Sequence, residues 1–564
     1  MTNEASAYLA ALLKRTDLFS DPDILTLMTE AREGDRSVTQ IVADEGYAQE
    51  DQFLEAMAKV LGIPYTRLGS DEIPQEVLEL LPTKAVFQYN VMPVSLDNDI
   101  LTVATNDPLN TMVLDALRLA SRSRVKFALC PSSDIEDAIK AFYGVGAETV
   151  DQMMLDDRFD VDADISLGKS ELSELDQEAS IVKFVNQIIS EAVKQGATDI
   201  HVEPMEKSLR IRYRIDGVLH HTPVPSQLAR FQNAIISRIK VMANLDIAEK
   251  RLPMDGRIGL RVQGRDIDIR VSTMPTVYGE SISLRILQSS GSFIGLKELG
   301  MSARDDALIN KVIHRPNGII LVTGPTGSGK STSLYAYLHE INRTDVRILT
   351  AEDPIEYEMA GVNQVLVRAD IGLTFARALR SFLRQDPDII MVGEIRDRET
   401  AEIAIQASLT GHLVFSTLHT NDASGSFTRL LDMGVEPFLA ASACEAVIAQ
   451  RLIRKLCDSC KVEAKVDAAF LKSVGFPDLA GRTIYDPNGC DECRSAGYRG
   501  RRGIFEVLSV TDEVRSLVTS QKSSNEIRVQ ALKDGMLPLR DDGWEKVLKG
   551  VTTVKEVLRV TEDE

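Results

Sequence analysis

No run of apolar residues in this chain approaches the ~18 that a membrane-crossing helix needs, although apolar types make up 44% of it. The first residues, Met-Thr-Asn-Glu-Ala-Ser, carry neither a basic n-region nor an apolar h-region, so no secretory signal is expected. Bases are the minority charge: 64 Lys and Arg against 84 Asp and Glu leave a formal net charge of −20. That argues against a generic nucleic-acid binder, which needs a basic face, while leaving room for a local patch. No fixed-period repeat occurs. Cysteine is scarce, with 6 in 564 residues. A cytoplasmic protein is expected, and any membrane role must come through a partner. The length predicts about four units at ~150 residues each.

What is present is concentrated between Ile319 and Thr332. Ile319 to Val322 is an apolar, β-branched run that reads as a buried strand. Gly324, Pro325, Thr326, Gly327, Ser328, Gly329, Lys330 and Ser331 then match the phosphate-loop pattern G-x-x-x-x-G-K-S/T, followed by Thr332. Glycines let backbone N–H groups close on phosphates without a Cβ in the way. Lys330 supplies the charge for the β- and γ-phosphates, and the Ser331 hydroxyl a ligand for Mg²⁺. The next stretch reads as a helix whose N-terminus favours anions. A chance glycine-rich turn would not place strand, loop and helix in this order.

Other polar groups cluster on the same segment. Asp388 to Glu394 reads as a strand ending in an acid, which can position the attacking water or hold Mg²⁺ through water. Glu352, Asp353 and Glu356 crowd the end of another strand, and three carboxylates this close need a compensating cation. His412 and His419 flank a further strand. A lone histidine is usually structural, but two in a nucleotide domain could sense phosphate or couple subunits. Cys457-x2-Cys460 and Cys490-x2-Cys493 offer four thiolates for a tetrahedral, structural Zn²⁺, with residues 461–489 forming a small lobe between them. Cys130 and Cys444 read as buried small hydrophobes.

The rest of the chain reads as α/β throughout. Residues 1–147 form one α/β unit, with helical spacing from Val38 to Val60 and strands near Val91–Val94 and Ile100–Ala104. From Glu148 to Glu178, eleven acids face two bases, which predicts a flexible linker over 148–178. Residues 179–292 form a second α/β domain. There Arg210, Arg212 and Arg214 share one strand face, and Arg270 and Arg285 oppose apolar stripes. For any one of these arginines, a solvated face balanced by acids is the plainer reading. Residues 293–564 form a third domain, in which strands and helices alternate from about 295 to 450, which predicts a mostly parallel sheet covered on both faces. A cysteine lobe is expected at about 455–503, and helices over 504–564.

Taken together, these motifs resemble the secretion ATPase family of type II secretion and type IV pilus assembly, over nearly the whole chain. Thr323-Gly-Pro-Thr-Gly-Ser-Gly-Lys-Ser-Thr332 resembles its Walker A, and Leu349-Thr-Ala-Glu-Asp-Pro-Ile-Glu-Tyr357 its Asp box. Asp386-Pro-Asp-Ile-Ile-Met-Val-Gly-Glu-Ile-Arg-Asp397 resembles its Walker B region, and Gly411-His-Leu-Val-Phe-Ser-Thr-Leu-His-Thr-Asn-Asp422 its His box. Ala197-Thr-Asp-Ile-His-Val-Glu-Pro204 and Lys250-Arg-Leu-Pro-Met-Asp-Gly-Arg257 are similar to signatures of its PAS-like domain.

The resemblance implies a RecA-like P-loop core, a PAS-like domain, an N-terminal docking domain and a zinc lobe. It implies a cytoplasmic homohexamer that hydrolyses ATP with Mg²⁺ to power pseudopilus or pilus assembly. Such a ring would grip the cytoplasmic part of an inner-membrane platform protein. Type II secretion is the expected branch, pilus extension the alternative, and a nucleic-acid-dependent motor the alternative of another class. Glu394 takes the role of Walker B acid, supported by Glu356 and the Asp-box acids. Arg270 and Arg285 match arginines that meet the γ-phosphate, and Arg380, Arg384, Arg396, Arg429 and Arg501 match arginines at subunit or domain contacts. Some relatives bind cyclic di-GMP through a repeated Arg-Leu-Gly-x-x-Leu-Val-x-x-Gly pattern. Here Ser37 stands in the Arg place and Thr39 in the first Gly place, so protein docking is expected rather than dinucleotide sensing.

Overall fold

The computed structural model describes residues 3–33, 37–69, 73–150, 153, 171–288, 294–464, 468–473, 475–476 and 481–561. The chain divides into two compact units, Met1–Ile286 and Leu287–Glu564.

In the first unit, β1 (Met92–Asp97), β2 (Ile100–Thr105) and β3 (Arg124–Leu129) form a small sheet in the order β1-β2-β3. The helical stretch expected from Val38 to Val60 is two helices, Val38–Asp44 and Glu50–Leu61. They bury Ile41, Val42, Phe53, Leu54 and Met57 in one cluster. A second sheet, order β6-β5-β4-β9-β8-β7, follows. It comprises β4 (Ala197–Pro204), β5 (Leu209–Ile215), β6 (Val218–Thr222), β7 (Met254–Val262), β8 (Arg265–Thr276) and β9 (Gly279–Gln288). Its strands mostly alternate apolar and polar residues, so one face takes most of the apolar side chains. Ile200, Ile211, Tyr213, Ile269, Val271 and Leu284 are buried there against helices Glu171–Lys194 and Gln232–Met242.

The expected linker, 148–178, falls mainly outside the described residues, but both its ends differ from expectation. Val150 and Met153 are fully buried in the core of the second sheet, beside Ile181 and Phe184. At its other end the helix already begins at Glu171. Averaging charge over the segment hides these two anchors, each of which gains about 1.5–3 kcal/mol on burial.

The second unit is built around a seven-stranded sheet in the order β12-β11-β13-β14-β10-β15-β18. Its strands are β10 (Gly318–Thr323), β11 (Ile348–Glu352), β12 (Val362–Leu366), β13 (Ile389–Val392), β14 (Leu413–Leu418), β15 (Cys444–Leu456) and β18 (Tyr498–Ser509). A small hairpin, β16 (Val462–Ala464) with β17 (Ile484–Asp486), lies between the last two in sequence. Every pair in the large sheet is parallel except β15–β18. The strands read as continuous apolar runs because both faces are covered. Ile319, Leu321, Ile390, Val392 and Val414 pack on one face with Ala376, Leu379, Phe382 and Ala404. Ile320, Val322, Ile389, Met391 and Phe415 pack on the other with Ile309, Val312, Leu334 and Leu338. A single-residue slip would swap these two sets.

One expectation is corrected here. Residues 504–509 are not helical: they complete β18, which pairs antiparallel with β15 along its length. Their alternation is masked because Ile504 to Leu508 is buried throughout, including Glu506, which accepts from the Ala423 N–H at 2.9 Å. The chain then turns helical over Asp512–Thr519, Ser524–Lys533, Leu539–Leu548 and Val554–Val560.

Candidate active site

The phosphate loop connects the C-terminal end of β10 to the helix Lys330–Ile341. Gly324, Gly327 and Gly329 all have positive φ. At Gly324 a Cβ would come within 2.6 Å of the Gln450 carbonyl oxygen, so only glycine fits. Pro325, Thr326 and Gly327 are exposed at the tip, as is Ser331 in the first helical turn, while Ser328 is buried. Lys330 Nζ folds over the loop and donates to the carbonyls of Gly324 (2.8 Å) and Pro325 (3.0 Å). Burial pulls the Lys330 pKa below its usual value; the Glu394 charge opposes that shift and Arg451 adds to it.

Beside β10, the edge formed by the strands' C-terminal ends carries most of the expected polar groups. Thr323 Oγ1 bonds the Thr420 hydroxyl at 2.7 Å and accepts from the Thr420 N–H at 2.8 Å, tying the loop's root to the end of β14. Glu394 follows β13 and is 9% exposed. Its position is fixed by Thr417, whose hydroxyl donates to the Gly393 carbonyl at 2.7 Å, and by the Ile395 N–H bonding the Thr417 carbonyl at 3.0 Å. One Glu394 oxygen pairs with Arg396 at 2.5 Å and the other with His419 Nε2 at 3.2 Å. The bond to Glu394 raises the Arg396 pKa above its ordinary value, ahead of an opposing burial effect.

Of the Asp-box acids, Glu352 lies on a strand further from the loop. β13 and β14 separate β11 from β10, which at ~4.8 Å per strand is about 14 Å. Glu352 is buried and its carboxylate already has donors: Tyr335, Thr350 (2.6 Å) and Gln364 (3.0 Å). Tyr335 is on the phosphate-loop helix and stacks on Tyr357, with ring centroids 4.2 Å apart. Burial and then the Glu352 charge push its hydroxyl well above the ordinary tyrosine range, so it stays a donor. The same hydroxyl accepts from the Glu356 N–H at 3.3 Å. Asp353 precedes a cis peptide to Pro354.

His412 is not at this edge. It precedes β14, with its carbonyl accepting from the Gly318 N–H (3.3 Å) at the start of β10 and its Nδ1 bonded to the Ala407 carbonyl (2.9 Å). A strand of this length puts roughly 17 Å between its ends, and only the far end bears the phosphate loop. Within this chain His412 joins helix to strand at the edge away from the phosphate loop, and His419 alone of the pair stands near Glu394.

In the first unit, the arginines share the polar face of the six-stranded sheet. For Arg210 and Arg212 the plainer reading holds: both donate to Glu203, at 2.9 and 2.6 Å. Burial raises the Glu203 carboxyl, but these bonds outweigh it and hold it below its ordinary value. Arg285 pairs with Asp199 at 3.0 Å yet stays 59% exposed. Arg270 is half-buried on the face opposite Ile269 and Val271.

The four cysteines meet. Cys457, Cys460, Cys490 and Cys493 sulfurs all lie within 4.8 Å of one another, and three pairs stand at 3.7 Å. Four ligands at about 2.3 Å around zinc give tetrahedral edges of about 3.8 Å, so the set fits that ion. Burial raises the Cys493 thiol, but the N–H groups of Cys490 and Gly497, with the Cys460 and Cys490 thiols, outweigh it and hold it below its ordinary value.

Sequence reasoning passed over Tyr335, Gln364 and Gln450. A glutamine inside the apolar run of β15 was the available signal for Gln450.

A parallel sheet with a phosphate loop at its carboxyl edge and an acid on a neighbouring strand end defines a P-loop NTPase. The family model described as type II/IV secretion system protein matches residues 174–559, and that of the MshEN domain residues 61–149. The chain belongs to the type II/IV secretion system protein family and is an ATPase. It is 41% identical over 563 residues, 98% of each chain, to the type IV pilus assembly ATPase PilB of Myxococcus xanthus. It is 52% identical over 394 residues to the type II secretion system protein E of Pseudomonas aeruginosa, covering 70% of this chain and 78% of that one. The structure of the ATPase DotB from Legionella pneumophila shares the fold, at a TM-score of 0.50 and 21% identity, covering 68% of this chain and 96% of that one.

Proposed function

We propose that the chain works as a cytoplasmic homohexamer that hydrolyses Mg-ATP to power pseudopilus assembly for type II secretion. The observation that carries this is the intact phosphate loop beside Glu394 in a chain 52% identical to a type II secretion system protein E. In this reading Lys330 and the loop N–H groups hold the phosphates, Ser331 ligates Mg²⁺, and Glu394 positions the attacking water. Glu356 supports it from the Asp box, with Glu352 and Asp353 shaping that loop. Arg270 and Arg285 supply cations to the charge developing on the γ-phosphate. Their support is their place on one polar sheet face and the exposure of Arg285. The cysteines hold a structural zinc. Among the described residues no helix is long and apolar enough to cross a membrane, which fits attachment to the inner membrane through partners.

Residues 1–147 dock on the cytoplasmic part of a platform protein, with residues 179–292 as the PAS-like domain and 293–564 as the ATPase domain. Support for docking over cyclic di-GMP comes from two positions. Ser37 caps the helix Val38–Asp44, and buried Thr39 donates to the Asn106 carbonyl at 2.8 Å. Pilus extension is the second reading, favoured by end-to-end similarity to a pilus assembly ATPase. Deleting the gene and measuring exported protein and surface pili separates them. Lost export with intact pili is expected; lost pili with intact export assigns the chain to extension.

A further inference from the structure

Gln450 lies near the middle of β15, flanked by Ala449 and Arg451 and 2% exposed. Both ends of its amide are used. Nε2 donates to the Ser328 carbonyl at 2.9 Å, and Oε1 accepts from the Ser333 hydroxyl at 2.8 Å. A carbonyl can only accept, so the Ser328 contact fixes which end of the amide faces the loop. Ser328 is inside the phosphate loop, and Ser333 is in the first turn of the helix that follows it. The main chain at Gln450 also presses on the loop. Its carbonyl is the atom that bars a Cβ at Gly324, and its Nε2 would meet a Cβ at Gly329 at 3.2 Å. One buried residue thus touches the start, the end and the following helix of the loop.

We propose that Gln450 is the positioning residue that sets the phosphate-binding shape of the loop. The peptide between Ser328 and Gly329 is trans, so its C=O and N–H point in opposite directions. Holding the Ser328 carbonyl against β15 turns the Gly329 N–H the other way, toward the side a phosphate takes. Without that anchor the peptide is free to flip, and a carbonyl dipole would then meet the phosphate. The Ser333 hydroxyl keeps the amide from rotating away. Gln450 does not touch nucleotide; it acts through the loop.

The proposal rests on the ATPase site described above, so the test carries a control for it. Mg-ADP is titrated into the full chain and steady-state hydrolysis is measured, for wild type, Lys330→Ala, Gln450→Leu, Gln450→Glu and Ser333→Ala. Glutamate keeps the acceptor for Ser333 but cannot donate to Ser328. Losing these bonds is expected to weaken Mg-ADP about tenfold in both Gln450 variants and about threefold in Ser333→Ala. KM for ATP should rise in step, with a much smaller fall in kcat. A merely structural role would lower the thermal midpoint and leave affinity and KM of the folded protein unchanged. Mg-ADP affinity within about twofold of wild type in Gln450→Glu and Ser333→Ala overturns the proposal, whether or not Gln450→Leu folds. Wild-type protein whose Mg-ADP binding is indifferent to Lys330→Ala would instead overturn the site itself.

Discussion

Replacing Glu394 by glutamine tests the chemistry with the least disturbance to the fold. The side chain keeps its length, and one oxygen remains for either Arg396 or His419, which it now pairs at 2.5 and 3.2 Å. Arg396 is 67% exposed, so losing that ion pair costs about 0–1 kcal/mol of stability at most. The thermal midpoint should therefore barely move. ATP affinity should hold or rise, because a carboxylate that repels phosphate has gone while Lys330 and the loop remain. Hydrolysis is different: the variant can no longer polarise or orient water as the γ-phosphate departs. Removing one preorganised group of this kind costs about 10²–10³ in turnover, or about 2.7–4 kcal/mol of barrier. The assay is phosphate release at saturating ATP, beside an equilibrium binding titration and a melting curve. Turnover within about threefold of wild type refutes the role of Glu394. A loss of binding as large as in Lys330→Ala would move Glu394 from chemistry to nucleotide capture.

Further outcomes follow from other sites. Protein purified under reducing conditions without chelators should carry about one zinc per chain, and Cys490→Ser should release it; metal analysis finding none removes the zinc. Arg270→Ala and Arg285→Ala should each cut turnover about 10³-fold, with Mg-ATP affinity kept within a few-fold. Turnover per chain should also fall on dilution if the ring is the active form, and constant turnover in verified monomers with both mutants fully active would sink that mechanism. Burial depresses the Lys330 pKa and the Glu394 charge opposes it. The ammonium is present below that pKa and lost as pH rises through it, so Mg-ATP affinity should decline before the ordinary lysine range near ~10.4, and earlier still in Glu394→Gln. Superimposable affinity-against-pH curves for the two proteins would count against this. Glu280→Gln should destabilise by about 3–5 kcal/mol in urea unfolding, since it strands the charge of a buried lysine. That lysine, Lys240, is held by Glu280 at 2.9 and 3.1 Å; a loss below about 1 kcal/mol would mean water reaches the pair.

The sequence by itself determined whatever depends on neighbours along the chain. The phosphate loop was legible because strand, glycines, lysine and serine must follow one another for the backbone to wrap an anion. Walker B, Asp and His boxes were legible because each is a strand plus its exit. Paired cysteines at fixed spacing announced a four-sulfur cluster before any fold was known. Where chain-distant residues meet, only the tertiary structure could decide. Strand order put β11 two strands beyond β14's far side, so Glu352 is bonded to Tyr335 and Gln364 rather than placed against the loop. The sequence already set His412 and His419 at the two ends of one strand, but only the parallel pairing of β10 with β14 put the phosphate loop at the His419 end. Val150 and Met153 went into a core that a count of acids had hidden, and 504–509 became a strand because β15 offered an open edge. Gln450 was invisible for the same reason: 122 residues separate it from Ser328, and only the sheet brings that amide under the loop. Local pattern fixes which atoms an element can offer; packing fixes which of them face each other.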